Sequence, residues 1–237
     1  IKKSKFNLNA TANSVYVNFD ESLPGIANAS GNIKFNNEAL YITLDKSQFS
    51  DLENIKGTIE INNLNKPNEL SILAIKAESK SDADKMYQTI SKIADIQITK
   101  MPIEGNANAS LYFTLPDVRK NKFNIDLRIH FDEAKIEKIY NIFDLSQTNL
   151  DITLKNKEIN IYGDASLNNK PAKFFLNKSL EENEDLDIKF SGYLSGSNLN
   201  NIINITESSS ELIESQINYT SNFDNPGNIK GELNFSD

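Results

Sequence analysis

The chain has 237 residues, of which 38% are hydrophobic and 24% are charged, and its formal net charge is −8. This composition is typical of a globular protein, and the length fits one large β domain or two ordinary domains. With no Cys and a single His, the sequence has no disulfide framework, no thiolate metal site and little material for a His-based catalytic centre. The negative charge argues against binding to nucleic acid, and no apolar run is long enough to span a bilayer. Because the chain begins at Ile1 without a leader, we expect a mature segment or a piece of a longer protein.

Alternation of apolar and polar residues with a period of two predicts β-strands along most of the chain. In the first third, the apolar positions of three such runs are Ile33 and Phe35, then Leu40, Ile42 and Leu44, and then Ile59 and Ile61. The next run, from Leu70 to Ala77, is apolar at both parities and therefore needs cover on both sides.

A packing helix is predicted over residues 82–94. The sequence Ser81-Asp82-Ala83-Asp84 resembles a capping box, and apolar residues then recur at helical spacing. Packing of this helix against the sheet is one way to cover the preceding strand.

The clearest alternation follows this helix. From Ala107 to Leu115, and again from Phe123 to Phe131, the odd positions are apolar and the residues between them are polar. A slip of one residue would expose the large apolar side chains of the second run, at about 1.5–3 kcal/mol each. The register of these strands is therefore expected to be tightly fixed.

The second half continues the pattern after an ambiguous segment, 134–145, which we interpret as one or two helical turns. The apolar positions of the following strands are Leu150, Ile152 and Leu154, then Ile159 and Ile161, then Phe174 and Leu176, and then Ile188 and Phe190. A weaker helix is predicted from about Ser197, followed by a loop at 207–210, and residues 206–237 are expected to continue as strands. Paired Asn residues at the tips suit tight hairpin turns, so the whole predicts a meander of roughly a dozen strands, each about five to nine residues long.

A loose repeat accompanies the strands. Gly31, Gly57, Gly105 and Gly163 each open an alternating run, but their spacings are irregular and exclude a strict solenoid. No linker rich in Gly, Pro or Ser divides the chain, so we expect residues 1–237 to form a single segment.

Catalytic and metal-binding motifs are weak. His130 shares the polar face of its strand with Asp126 and Asp132, which permits a general base with a carboxylate partner, although a solvated side chain is the simpler interpretation. The acidic run at 181–185 has no Gly and does not match a calcium loop, so a solvated hairpin tip is the better interpretation. We therefore expect no enzyme, no metal site and no cofactor.

The remaining candidate is the apolar face of the strands. In one interpretation two sheets face each other about 10 Å apart and fill the space between them, as in a closed β-sandwich with a structural or adhesive role. In the other, the sheet curls into a trough whose apolar face binds a greasy ligand. The candidate ligand-binding residues on this face are Ile33, Phe35, Ile42, Leu44, Ile59, Ile61, Leu111, Phe113, Leu115, Phe123, Ile125, Leu127, Ile129, Ile152, Leu154, Ile159, Ile161, Phe174, Leu176, Ile188 and Phe190.

Two stretches of the sequence resemble a known family. Met101-Pro-Ile-Glu-Gly105, continued by Asn106 to Pro116, resembles the "Pro-Leu … Gly-x-Ala-x-Ala-x-Leu-x-Leu-x-x-Pro" stretch of the AsmA-like proteins, in particular their YhdP branch. Ile159 to Phe174 is similar to the family's "Gly-x-Ala-x-Leu-Asn-Gly-x-Pro-Ala" hairpin, with Asn169 where Gly is more usual. The strand series before the first helix is also similar, so the resemblance covers residues 10–205.

The resemblance implies a mainly β fold, an elongated curled antiparallel meander shaped like a taco, with one or two short helices. Its apolar inner groove would hold phospholipid acyl chains. Such proteins are anchored in the inner membrane of Gram-negative bacteria, cross the periplasm and support lipid homeostasis of the outer membrane. The implied partners are acyl chains, adjoining segments of the same chain, and the inner membrane through an anchor outside this segment. The family has no catalytic residues to carry over.

Overall fold

The computed structural model describes residues 6–18, 25–66, 69–93, 102–115, 124–139, 143–179, 186–203, 211–222 and 225–234. In these residues thirteen strands form one sheet, and their order in the sheet follows their order in the sequence. The first five strands and the last six strands pair with their neighbours in antiparallel orientation, and two short helices interrupt the series. The predicted fold class, a mainly β antiparallel meander with one or two short helices, is confirmed.

The strands run from seven to sixteen residues, and all but the shortest one are longer than the sequence predicted. Their bounds are β1 Asn7–Val17, β2 Ile26–Asn36, β3 Ala39–Phe49, β4 Lys56–Asn62, β5 Ile72–Asp82, β6 Ile103–Leu115, β7 Asn124–Ile139, β8 Phe143–Lys155, β9 Glu158–Leu167, β10 Lys170–Ser179, β11 Leu186–Ser195, β12 Leu212–Asn222 and β13 Asn225–Asn234. The last two strands lie where residues 206–237 were expected to continue the sheet.

The two helices are α1, Ala83–Ile93, and α2, Gly196–Ile203. At the start of α1 the backbone N–H of Asp84 donates to Oδ1 of Asp82 at 2.9 Å, so Asp82 rather than Ser81 caps the helix. At the start of α2 the N–H of Ser195 donates to Oδ1 of Asn198 at 3.1 Å, and the N–H of Asn198 donates to Oγ of Ser195 at 3.2 Å. This reciprocal pair is a capping box in which Asn takes the place of Glu or Gln.

The prediction of helical turns at 134–145 is wrong, because β7 and β8 occupy most of this segment as strands. Glu133 has a positive φ of 48°, and it marks a bulge in β7. Before it the odd residues Ile129 and Phe131 are buried, and after it the even residues Ala134 and Ile136 are buried. The inserted residue therefore breaks the period of two on which the sequence interpretation depended.

Bulges of the same kind occur in other strands. The pairing of β1 with β2 shifts after Ala12, where Ser14 has a φ of 52°, and the pairing of β8 with β9 shifts after Ser146, where Gln147 has a φ of 49°. The N–H groups at two bulges bond to side chains of the next strand, that of Ser14 to Ser30 Oγ and that of Glu133 to Asn149 Oδ1, both at 3.1 Å. A bulge moves the buried positions of a strand from odd to even residue numbers or the reverse. The alternation in the sequence therefore breaks at the bulge, and a long strand looks like a shorter one.

Packing divides the chain into two units. Unit 1 comprises Ile1–Ser81, Lys85–Ile96 and Asn108–Arg128, and unit 2 comprises Asp82–Asp84, Gln97–Ala107 and Ile129–Asp237. The expectation that residues 1–237 form one segment of a longer protein stays a prediction.

The predicted cover of β5 by the helix is not seen at the start of that strand. Leu70 and Ile72 remain exposed, whereas Met86 of α1 is among the largest fully buried side chains of the described residues. The predicted loop at 207–210, the acidic run at 181–185 and Phe123 lie outside the described residues.

Candidate functional site

Strand register in unit 1 aligns the predicted apolar residues in rows that run across the strands. The Phe35 row consists of Leu8, Phe35, Leu40, Ile61 and Leu73. The Ile42 row consists of Ala10, Ile33, Ile42, Ile59 and Ile75. The Gly57 row consists of Ala12, Gly31, Leu44, Gly57 and Ala77. Directly opposed residues of antiparallel strands point to the same side, so the three rows form one surface, the unit 1 apolar face.

The large side chains of this face are neither fully buried nor fully exposed. From β2 to β5, every Ile, Leu and Phe in the three rows is half-buried, and at the edge of the sheet Leu8 is 45% exposed. Side chains at the centre of a closed sandwich are covered by the facing sheet. The unit 1 apolar face is therefore only partly covered.

The opposite side of the same strands is polar. Tyr41 donates from its hydroxyl to Asn62 Oδ1 at 3.3 Å, and the Lys76 ammonium lies 5.7 Å from the centre of the Tyr112 ring. Thr43 and Thr58 are opposed on this side. The two sides of the sheet thus differ in chemistry as the alternation predicted.

An open recess of about 480 Å³ lies at the Gly57 row. Its lining consists of three consecutive residues from each of β3, β4 and β5, namely Thr43, Leu44, Asp45, Lys56, Gly57, Thr58, Lys76, Ala77 and Glu78. A Cβ atom at Gly57 would overlap the carbonyl oxygen of Lys76, so the backbone permits only glycine here without a shift. Three of these residues, Leu44, Gly57 and Ala77, belong to the Gly57 row, and the other six are polar or charged.

Unit 2 has a second surface built in the same way. The Ile161 row consists of Ile152, Ile161, Leu176, Ile188 and Tyr219. The Phe174 row consists of Leu150, Gly163, Phe174, Phe190 and Ile217. These two rows form the unit 2 apolar face. Leu154 and Ile159 oppose each other in the next row, beside the Ile161 row. The following residue of that row is Lys178 on β10, so the apolar surface ends at Lys178.

The large side chains of the unit 2 apolar face are also half-buried. The rings of Phe174 and Phe190 pack against each other at a centroid distance of 5.3 Å and a tilt of 54°. A methyl group at Gly163 would overlap the carbonyl oxygen of Asn149, which again requires glycine. The side chain of Leu150 lies nearest to Gly163, and the ring of Phe190 lies nearest to Gly192.

One end of the unit 2 apolar face is sealed. Beyond the Phe174 row, Ala165 opposes Ala172 and Gly192 opposes Ser215, and all four residues are buried. Leu194 of β11 and Leu199 of α2 are fully buried at the same end. We call this buried group the sealed section of unit 2.

The other predicted residues divide between the two units. Leu111, Phe113 and Leu115 of β6 and Ile125 and Leu127 of β7 are half-buried residues of unit 1. Ile129, in unit 2, is only 3% exposed and lies in a packed part of the structure, and its assignment to the ligand-binding face stays a prediction.

The sequence interpretation missed β1 entirely. Leu8, Ala10 and Ala12 continue the three rows of unit 1. Their alternation with polar residues is regular, but two of the three apolar positions are Ala, which gives only a weak signal.

His130 pairs with neither of the carboxylates that its sequence position suggested. Its Nδ1 lies 2.9 Å from Oδ1 of Asp151 on β8, and both side chains are more than a third exposed. Asp126 instead accepts from Arg128 Nε at 3.0 Å. Nearby, a hydrogen bond to Glu137 raises the pKa of the exposed Lys135 ammonium, as does the charge of Glu137. These are ion pairs of a solvated surface.

Two further features are absent from the described part of the chain. No group of three or more His, Cys, Asp or Glu side chains there is placed to hold a metal ion. Neither helix of that part of the chain is long and apolar enough to cross a membrane.

No family model matches the sequence, and neither the comparison with curated proteins nor that with solved structures gives a match. The likeness to AsmA-like proteins therefore rests on the sequence stretches described above and stays a prediction.

Proposed function

We propose that the chain binds the hydrocarbon tails of lipids on its apolar faces. The observation that carries the proposal is the half-buried state of the Phe35, Ile42 and Ile161 rows. A closed sandwich made of the same strands would bury these residues under a second sheet. An apolar surface that is continuous across several strands and only partly covered is the surface that a hydrocarbon tail requires.

The energetics favour a tail over a specific polar ligand. Removing a methylene group from water is worth about 0.8 kcal/mol, so a tail of a dozen carbons gains about 10 kcal/mol before the costs of ordering. The rows present no polar side chain between β2 and β5 that would hold a headgroup at one place. This arrangement suits a ligand that slides along the surface.

Together with the sequence resemblance, this surface favours a particular kind of protein and a particular cellular location. We infer a segment of an AsmA-like protein of the YhdP branch, which carries phospholipid across the periplasm and supports the outer membrane. The full-length protein would be anchored in the inner membrane, and adjoining segments of the same chain would continue the sheet. Its role is transport rather than catalysis.

Lipid binding is tested with two matched variants. Ile42 and Ile59 oppose each other on the apolar face, and Thr43 and Thr58 oppose each other in the same two strands on the polar face. We expect the Ile42→Asn/Ile59→Asn variant to lose at least tenfold in affinity for a fluorescent fatty acid, because two amides would lie in the path of the tail. The Thr43→Asn/Thr58→Asn variant should bind as the unchanged protein does.

Native mass spectrometry of the purified chain complements the titration. The proposal is supported if the unchanged chain carries bound phospholipid and the Ile42→Asn/Ile59→Asn variant does not. A chain that carries no lipid, takes up none from vesicles and shows no difference between the two variants would contradict it. That result would favour the alternative function, a structural or adhesive module without a ligand.

A further inference from the structure

The polar side of unit 2 carries two aromatic side chains that directly oppose each other. Phe175 of β10 is the register partner of Tyr162 of β9. Because successive residues of a strand point to opposite sides, Phe175 lies on the side away from Phe174 and from the unit 2 apolar face. Tyr162 is 48% exposed and Phe175 is half-buried. Lipid binding on the apolar face therefore gives this pair no role.

Strand register places the aromatic pair at the centre of a row that crosses five strands. The Phe175 row consists of Asp151, Tyr162, Phe175, Lys189 and Asn218. The Lys189 ammonium lies 5.2 Å from the centre of the Phe175 ring, so a hydrogen-bond donor is held beside that ring. Adjacent strands are about 4.8 Å apart, which makes the row about 19 Å long. A row of this length suits an elongated ligand.

The rows on either side of the Phe175 row supply mainly amides and hydroxyls. One flanking row carries Asn160, Asn177 and Thr220, and the other carries Ser191 and Gln216. Nδ2 of Asn177 donates to Oδ1 of Asn160 at 2.7 Å, which fixes the orientation of both amides. Amides and hydroxyls both donate and accept hydrogen bonds, as the hydroxyl groups of a ligand require. We call the Phe175 row and its two flanking rows the unit 2 polar patch.

The charges of the unit 2 polar patch are already paired within the protein. Lys189 Nζ lies 3.1 Å from Oδ2 of Asp187, and Lys173 opposes Asp164 in register. The third carboxylate, that of Asp151, lies 2.9 Å from an imidazole nitrogen. Single-stranded nucleic acid also stacks on aromatic rings, but it requires a positively charged groove, and this chain has a net charge of −8. These features favour a neutral ligand.

We propose that the unit 2 polar patch binds a neutral, extended oligosaccharide of β-1,4-linked sugars that lies across the strands along the Phe175 row. The C–H groups on one face of a pyranose ring pack against the negative face of an aromatic ring. The spacing of about 4.8 Å between strands is close to the length of one sugar unit in such a chain, so successive sugars would lie over Tyr162 and Phe175. Hydroxyl groups at the edges of the sugars would bond to the flanking amides.

The first test is isothermal titration of the 237-residue chain with two soluble probes, the β-1,4-linked hexamers of glucose and of N-acetylglucosamine. We expect at least one of them to bind with a dissociation constant of about 1 mM or tighter. Tyr162→Ala should weaken this binding about tenfold, because it removes a stacking surface. Tyr112→Ala is the matched control: Tyr112 is 46% exposed on the polar side of unit 1, and its loss should leave sugar binding unchanged.

A second variant tests whether stacking, rather than apolar area alone, holds the sugar. Phe175→Leu keeps an apolar side chain of similar size but removes the aromatic face, and it should weaken binding severalfold. Circular dichroism of each variant checks that the fold is retained. Fatty-acid binding by both variants should equal that of the unchanged chain, because the unit 2 polar patch and the unit 2 apolar face lie on opposite sides of the strands.

Three results would overturn the proposal. The first is that neither hexamer binds. The second is that Tyr112→Ala weakens sugar binding as much as Tyr162→Ala does. The third is that Phe175→Leu, correctly folded, binds the sugar as tightly as the unchanged chain.

Discussion

The two apolar faces have the same construction but differ in how completely they are filled. In unit 1 the row beside the half-buried aliphatic residues contains Gly31, Gly57 and Ala77, and an open recess of about 480 Å³ lies there. In unit 2 Gly163 is the register partner of Phe174, whose ring packs against that of Phe190 at a tilt of 54°. The strand pattern is the same in both, and the rows differ in the size of the side chains that they carry.

The difference also shows where stability and binding are expected to reside. The sealed section of unit 2 holds two of the largest fully buried side chains, Leu194 and Leu199, which is the arrangement of a conventional core. The Ile42 row of unit 1 is half-buried throughout its β2–β5 residues. We therefore expect substitutions in the sealed section to affect mainly the free energy of unfolding, and substitutions in the Ile42 row to affect mainly lipid binding.

The largest effect on stability is expected from Leu194, which is 1% exposed. Leu194→Ala should lower the free energy of unfolding by about 2–5 kcal/mol, because it removes buried methyl groups and leaves a cavity. Leu176→Ala, in the half-buried Ile161 row, should cost about 1 kcal/mol, since only part of the side chain leaves an apolar environment. Urea denaturation measures both, and equal losses would contradict the distinction between sealed and open regions.

The next largest effect is expected from Gly57. Gly57→Ala should destabilise the protein by about 1–3 kcal/mol, because the new methyl group overlaps the Lys76 carbonyl. At Gly25 an added methyl would meet the side chain of Tyr16, an exposed ring that can move aside. Gly25→Ala is the control. If it lowers the free energy of unfolding as much as Gly57→Ala does, the close approach of the β5 backbone to Gly57 is unimportant.

Phe174 tests whether the aromatic pair is what fills unit 2. Phe174→Leu should cost about 1 kcal/mol in stability, since the ring contact with Phe190 is lost. It should also raise labelling of the unit 2 apolar face by a photoreactive fatty acid toward the level of unit 1. Unchanged labelling, measured by peptide mass spectrometry, would mean that the rings do not limit access.

The smallest effect is expected at His130. His130→Ala removes a partly exposed ion pair with Asp151 and should change the free energy of unfolding by less than about 1 kcal/mol. Lipid binding should not change, because the ion pair lies among solvated charges. A large loss of either property would assign His130 a role that its surroundings do not suggest.

The strands and their apolar face were predictable from the sequence, because alternation such as that of Ile33, Phe35 and Ile42 reports the period of a half-buried sheet directly. Bulges were not predictable: Glu133 adopts a left-handed backbone conformation that its residue type does not announce. The sealed section was also hidden, since Leu194 is fully buried whereas Phe190 of the same strand is half-buried, and the alternation does not distinguish the two. The sequence alone did not show that the unit 2 apolar face ends at Lys178, because this follows only from the register between β9 and β10.

The most direct test of the central claim is to locate a bound tail. A diazirine fatty acid, photolysed with the unchanged chain and mapped by peptide mass spectrometry, should label Ile42, Ile59 and their row neighbours. It should leave Thr43, Thr58 and the rest of the polar side unlabelled, and unit 1 should carry more label than unit 2. Label spread equally over both sides of β3 and β4, or confined to the polar side, would contradict the account.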